Sequence, residues 1–277
     1  MPPPLEQILH DRFQSDVSPL ALGPDADTAL ARIAGRGSCR TFTSKPVPGA
    51  VLEALCAVAL SAPSKSDLQQ RDIVIMEEKG LKTELLGLLS AQAWTGHVPH
   101  LLVFCGNHAR QRTLHDLSGH PFANDHLDGF FNAAVDAGIA LSAFVLAAEA
   151  AGLGCCPIST VRNFPDEVDR LLNLPDFVFP VAGLAVGYPA SDPPVSRRLP
   201  LSCTVHRDRY PDADVAETLT AYDALRHRHQ PYPVQRRSDT LGEAAHYGWI
   251  EDKTRQYSLP ERADFGAYVR RKGFSLD

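Results

Sequence analysis

The sequence predicts an α+β layered fold, and three observations carry that reading. Short apolar runs suited to strands are interspersed with helical stretches, without the regular strand–helix–strand alternation of a doubly wound parallel sheet. No Gly-x-Gly-x-x-Gly follows a strand, which argues against a Rossmann dinucleotide site. Residues 130–151 read as the longest helix, with Ala, Leu, Ile and Val over most of its circumference and only Asp136, Ser142 and Glu149 interrupting. A helix apolar nearly all round is expected to be buried on all sides, in a core or against another subunit.

Residues 5–13 suit a short helix, and 19–24 form a breaker-rich linker. Asp25, Asp27 and Thr28 offer N-caps for a helix through Ile33 that ends near Gly35. Over 48–60, Val51, Leu52, Leu55, Ala59 and Leu60 fall at helical spacing. A strand at 73–76, a helix at 79–89, a loop with Gln92 and Trp94, and a strand at 101–105 follow. Residues 107–125 are polar and histidine-rich with no clear period, the pattern of a substrate-facing loop. Strands at 153–158 and 178–186 bracket a helix at 165–172, where Pro165 suits the first turn and Pro175 the exit. Beyond Arg198 come polar helices at 215–229, 240–256 and 261–272, separated by Pro231, Pro233 and Pro260.

Composition narrows the function classes. A chain of 277 residues with 44% hydrophobic and 22% charged residues is an ordinary soluble globular protein with a substantial core. A net charge of −6 argues against general nucleic-acid binding, while leaving room for a local basic phosphate cradle. No run is read as reaching the roughly 20 apolar residues that span a bilayer. The first six residues lack the basic flank and apolar core of a signal peptide, so no membrane partner and a cytoplasmic location are expected. The six cysteines form no Cys-x-x-Cys pair and read as reduced, buried small hydrophobes. The eleven histidines lack ligand spacing, so no metal is expected, and no Gly-x-Ser-x-Gly elbow supports hydrolase chemistry.

Chemistry concentrates in a few segments. Arg36-Gly37-Ser38-Cys39-Arg40 offers guanidinium and hydroxyl donors for a phosphate, with a glycine that lets the backbone come close. Ser61-Ala62-Pro63-Ser64-Lys65-Ser66-Asp67-Leu68-Gln69 offers small polar residues and a cation for a flat polar ring edge. Downstream lie 152–163, ending Pro157-Ile158-Ser159-Thr160-Val161-Arg162-Asn163, the run 177–189, and Ser196-Arg197-Arg198-Leu199-Pro200. In this order and spacing the set resembles the nitroreductase family, and its later members are similar to the NADPH-dependent nitroreductase and flavin reductase branch. The resemblance runs from about Arg36 to the C-terminus, leaving residues 1–27 as an N-terminal extension. Residues 28–277 then form one FMN-binding domain with a helical C-terminal excursion.

The resemblance implies a homodimer, a central mainly antiparallel sheet flanked by helices, and FMN as the cofactor. It places the FMN phosphate against Arg36, Gly37, Ser38 and Arg198, and the ring against Arg40, Ser64, Lys65, Ser66, Gln92, Pro157, Ile158, Ser159 and Thr160. Arg228 and Arg236 fall where the branch grips the 2′-phosphate of NADPH, a dianion that arginine suits. For Lys65, Arg198 and this basic cluster, ordinary solvated surface charge is the alternative reading. The implied activity is ping-pong hydride transfer from NADPH to nitroaromatics, quinones or related acceptors. The cofactor carries the chemistry, so no catalytic side chain is required. The alternatives are flavin reduction or another dehydrogenation on the same fold, or a non-catalytic flavin-binding protein. Gly37, Ser196 and the Ser159-Thr160 pair depart from the family pattern, where Arg, Lys and Gly-Gly or Gly-Ala are usual. Asp67 departs too, and is expected to bond an arginine or a backbone N–H instead of lowering the flavin potential.

Overall fold

The computed structural model describes residues 3–14, 23–90, 93–212 and 214–277. Within them the chain runs α1 (Leu5–Phe13), α2 (Pro24–Ala34), α3 (Gly49–Leu60), β1 (Arg71–Ile75), α4 (Lys79–Leu88), β2 (His100–Asn107), α5 (Ala109–Ser118), α6 (Leu127–Ala150) and β3 (Gly154–Ile158). It continues with α7 (Pro165–Leu172), β4 (Val178–Gly187), α8 (Ala216–His229), α9 (Ser238–Leu241), α10 (Trp249–Tyr257) and α11 (Phe265–Arg271). Two compact units result: Ser38–Pro193 with Arg262–Asp277, and Met1–Gly37 with Pro194–Glu261.

The first unit holds a four-stranded sheet of order β1-β2-β4-β3, antiparallel at every pairing. Side chains of β2 alternate between two cores, as the two-residue period of a strand requires. Leu102 and Phe104 join Leu52 and Leu55 of α3 and Phe144 and Ala148 of α6 on one face. Leu101, Val103 and Cys105 join Leu85 of α4 and Val168 and Leu171 of α7 on the other. Both faces are covered, so the central strands read as continuous apolar runs.

Helix α6 has the length and composition to cross a bilayer, contrary to the expectation that no such run exists. It is instead a core helix, with Ala137, Ala140, Phe144 and Ala148 fully buried and the Asp136 carboxylate enclosed. Within one copy of the chain the helix is not covered all round: Phe131 is 59% and Val135 41% exposed, so one apolar stripe lies outside the core.

Other departures have local causes. A helix, α5, forms within 107–125, where a loop was expected. It lacks an apolar stripe, exposing Leu114 and Leu117, and so escapes a periodicity reading. Its start is held by Asn107 Oδ1, which accepts from Arg110 N at 3.2 Å, and it stops at Gly119 with φ +72°. Helix α2 starts earlier than the Asp/Thr caps suggest, with Gly23 as the cap and Pro24 at its first turn.

In the second unit, the helix expected over 240–256 is two. Helix α9 ends at Gly242, with φ +73°. Helix α10 begins after Gly248, where a Cβ would meet an Asp223 carboxylate oxygen at 2.2 Å. The contact exists because Asp223 Oδ1 accepts the Ile250 N–H at 2.7 Å, satisfying an orphan donor of the first turn of α10. Helix α11, in the first unit, starts at Phe265, later than the 261 expected.

One buried bond makes the first unit's stability depend on pH. Val47 N donates to His100 Nε2 at 3.1 Å, so the ring must be neutral to accept. Burial and then the nearby Lys82 charge lower the His100 pKa below its ordinary 6.5. A histidine with a depressed folded pKa contributes stability above the unfolded value and loses it as pH falls through the folded one. Thermal melting should therefore drop as pH falls below about 6.5, and His100→Gln, an acceptor that does not titrate, should flatten that part of the profile.

Candidate functional site

Residues 38–43 are built into the end of the sheet by backbone bonds. Cys39 N donates to Cys155 O at 2.9 Å, Thr43 N to Tyr188 O at 2.9 Å, and Ala190 N to Thr41 O at 3.0 Å. This seating needs glycine at 154, where a Cβ would lie 2.6 Å from Cys39 Sγ. Cys39 and Cys156 are buried, and burial raises the Cys39 thiol pKa, which disfavours its reactive thiolate form. Arg40 is left exposed, its guanidinium 6.0 Å from the Trp94 ring centroid.

The same strand β3 ends in Pro157, Ile158, Ser159 and Thr160. Pro157 and Ser159 are exposed, while the Ile158 side chain sits in the core at 2% exposure, leaving only its backbone to offer. Ser38–Arg40 and 157–160 thus attach to one strand, the first at Cys155 and the second at the strand's C-terminal end. Arg262 joins them: its Nε donates to Asn163 Oδ1 at 2.6 Å and its Nη2 to Ser159 Oγ at 3.4 Å. Ser159 is thus one of the two residues that meet this guanidinium. Arg262 was missed in the sequence, where a lone arginine after Pro260 carries no local signal.

The Ser64–Gln70 loop is held differently. Ser66, Asp67 and Gln69 all have left-handed φ, at 48°, 58° and 52°, each costing on the order of 1 kcal/mol or more for a residue with a side chain. Asp136 of α6 compensates: Oδ1 accepts Lys65 N at 3.0 Å and Oδ2 accepts Gln70 N at 3.1 Å. Arg71 Nη1 lies 3.9 Å from Asp136 Oδ2, a pair almost wholly removed from water. Arg71 Nη2 also donates to Leu60 O and Ala62 O at 2.8 and 2.9 Å, tying the exit of α3 to the loop. Ser64 Oγ accepts from Gln69 N at 3.3 Å. The Lys65 ammonium is paired with Asp128 Oδ2 at 2.9 Å, in the open. Asp67 accepts from Gln69 Nε2 at 3.1 Å, so its partner is a side-chain amide and not the arginine or backbone N–H expected.

One chain does not unite all of these segments. The 64–70 loop enters β1 and the 38–40 and 157–160 segments attach to β3, and these strands are opposite edges of the sheet. Three strand spacings, about 14 Å, separate them laterally. Gln92 lies outside the described residues.

The second unit holds Arg36, Gly37, Arg198, Arg228 and Arg236. Arg36 and Arg198 meet at one residue: Arg12 Nη1 donates to Arg36 O at 3.1 Å, and Arg198 N donates to Arg12 O at 2.7 Å. Ser196, at the position of a family lysine, accepts from Arg198 Nη1 at 2.8 Å. Arg228 is exposed in the last turn of α8. Arg236 Nε donates to Asp252 Oδ1 at 3.0 Å, and its N–H to Tyr247 Oη at 2.8 Å. Burial opposes ionisation of Asp252. Hydrogen bonds from Lys253 and Tyr247 and the Lys253 and Arg236 charges outweigh it, holding the pKa below the usual carboxylate value.

Removing the Asp136 carboxylate should strand two backbone donors and a buried guanidinium. Asp136→Ala should cost about 3–5 kcal/mol in chemical denaturation, as expected when one partner of a buried pair is deleted. Amide exchange should accelerate at Lys65 and Gln70 first; uniform acceleration across the unit would show that the carboxylate does not clamp this loop.

Comparison with known proteins gives these features a lineage. The nitroreductase family model matches residues 33–188, and the model of that family's C-terminal domain matches 196–277. An FMN reductase [NAD(P)H] of Bacillus subtilis is 36% identical over 191 residues, covering 67% of this chain and 76% of that protein. Among solved structures, Bacillus megaterium NfrA2 superposes with a TM-score of 0.81 at 32% identity, covering 90% of this chain and 98% of its own. The NADPH:FMN oxidoreductase of Vibrio harveyi, complexed with NAD+, gives 0.76 at 26% identity, with 88% and 97% covered. With one family model laid over the sheet and its flanking helices and another over the C-terminal helices, the chain belongs to the nitroreductase family.

Proposed function

We propose that this chain is an FMN-dependent oxidoreductase that passes hydride from NADPH to nitroaromatic, quinone or similar acceptors by a ping-pong route. The observation that carries the reading is the attachment of the Ser38–Arg40 segment to β3 at Cys155, with Ser159, just beyond the end of the same strand, bonded to Arg262. The relatives' names support it, since they include an FMN reductase using NAD(P)H and an oxygen-insensitive NADPH nitroreductase. The donor set fits the cofactor: Arg36 and Arg198 suit a phosphate dianion, the Gly37 and Ser38 backbone and the Ser38 hydroxyl suit its oxygens, and Arg40 suits an electron-rich ring edge. When bound, FMN supplies the two-electron chemistry.

The chain's own residues bind, orient and tune. Arg40, fixed by backbone bonds on either side, presents positive charge where negative charge develops. Ser159 and Thr160 with Pro157 form a small polar platform under the ring. Ser64, Lys65, Ser66 and Gln92 complete the ring's surroundings, and in this reading 64–66 come from a second copy of the chain. A single copy holds that loop on the far edge of its sheet, and the outward stripe of α6 with Phe131 and Val135 gives the second copy an apolar face to bury. Arg236, aimed by Asp252, and Arg228 receive the nucleotide's 2′-phosphate. Residues 1–27 lie outside the FMN-binding domain, 28–277, and the protein works in the cytoplasm. A second reading, with free flavin as the acceptor, is favoured by relatives named FMN reductase.

Purified protein should be yellow with FMN, bleach with NADPH, and recover its colour with nitrofurazone or a quinone. Recovery with free flavin alone selects the second reading, and tightly bound FAD, or no uptake of excess FMN, overturns both. Arg40→Ala should slow reduction by about 3 kcal/mol of barrier while thermal stability with saturating FMN holds. Arg236→Ala should raise the Michaelis constant for NADPH roughly tenfold, leaving that for NADH nearly unchanged.

A further inference from the structure

We propose that Arg12 of helix α1 is a positioning residue that sets the spacing of Arg36 and Arg198, so that α1 preorganises the phosphate end of the FMN site. The inference rests on the reading above, in which those two arginines bind the phosphate. Neither family model reaches α1: they begin at residues 33 and 196, and each contains one of the two arginines. Arg12 lies on a segment that neither model covers and bonds to both.

The bonds follow from what helix ends require. The last carbonyls of a helix lack partners within it and carry partial negative charge. At the end of α2, the Ala34 carbonyl accepts from the Arg12 guanidinium, which spans onward to the Arg36 carbonyl at 3.1 Å. The exit of α2 into Arg36 is therefore fixed by a charged fork that needs two acceptors at defined separation. At the end of α1, the Asp11 and Arg12 carbonyls are taken by the other segment: Arg197 Nη1 donates to Asp11 O at 2.8 Å and Arg198 N to Arg12 O at 2.7 Å. Gln14, with φ +51°, adds a bond from its Nε2 to Arg12 O at 3.1 Å. One residue thus holds the Arg36 strand with its side chain and the Arg198 strand with its backbone. It is 7% exposed, on a helix that is otherwise mostly polar and solvated. The two carbonyls that a buried arginine at that place reaches, Ala34 O and Arg36 O, belong to the exit of α2, which gives it a geometric task.

Binding of FMN and of riboflavin, which lacks the phosphate, to the flavin-free full-length protein separates this task from general support of the fold. Arg12→Ala should weaken FMN about tenfold, the loss expected when charge-assisted phosphate contacts slacken, and leave riboflavin unchanged. Arg12→Lys keeps the charge but not the two-carbonyl span and should fall between; its ratio serves if the alanine variant does not fold. Equal weakening of both flavins, or a wild-type ratio in both variants, overturns the proposal. Arg36→Ala and Arg198→Ala distinguish the two levels. If they too leave the ratio unchanged, the phosphate reading itself fails; if they lower it while the Arg12 variants do not, only the role of α1 fails.

Discussion

The buried carboxylate of Asp136 is the interaction on which the first unit's architecture turns. It sits in the middle of the most apolar helix of the chain, where an isolated charge would be costly. It is tolerated because two backbone N–H groups and the Arg71 guanidinium converge on it. The same bonds hold a loop with three side-chain-bearing residues in left-handed conformation. The carboxylate thus ties helix α6 to the loop that enters β1.

A second constraint of the same kind works through absence of atoms. Gly154 lets Cys39 come close enough for its N–H to reach the Cys155 carbonyl, so the Arg40 segment becomes an extra rung beyond β3. The Arg40 backbone is then held in place before anything binds, while its exposed side chain keeps its rotamer freedom. Arg236 follows the same logic with a side chain, since the buried Asp252 both neutralises and aims it.

Much of the fold could be read from the amino-acid order. The strands, the α7 boundaries and α1 follow from apolar runs, Pro165 and local spacing, signals contained in a few adjacent residues. Helix α5 was illegible because it carries no apolar stripe, and its contacts reach distant residues, as in the Arg110–Asp72 ion pair at 2.6 Å. The break between α9 and α10 was illegible because it depends on Asp223, which lies 25 residues before Gly248.

The sequence by itself determined which residue types could meet a phosphate, a ring edge and a second phosphate, because those needs are written in charge, hydroxyls and glycines at short spacing. Tertiary structure alone decided which of them meet. It joined 38–40 to 157–160 through one strand, set 64–66 on the opposite edge, and brought in Arg262 and Arg12, whose surroundings are assembled from distant segments. Asp136 shows the reason most plainly. In sequence it is an interruption of an apolar helix; its meaning as an acceptor exists only when Lys65, Gln70 and Arg71, more than 60 residues away, fold against it.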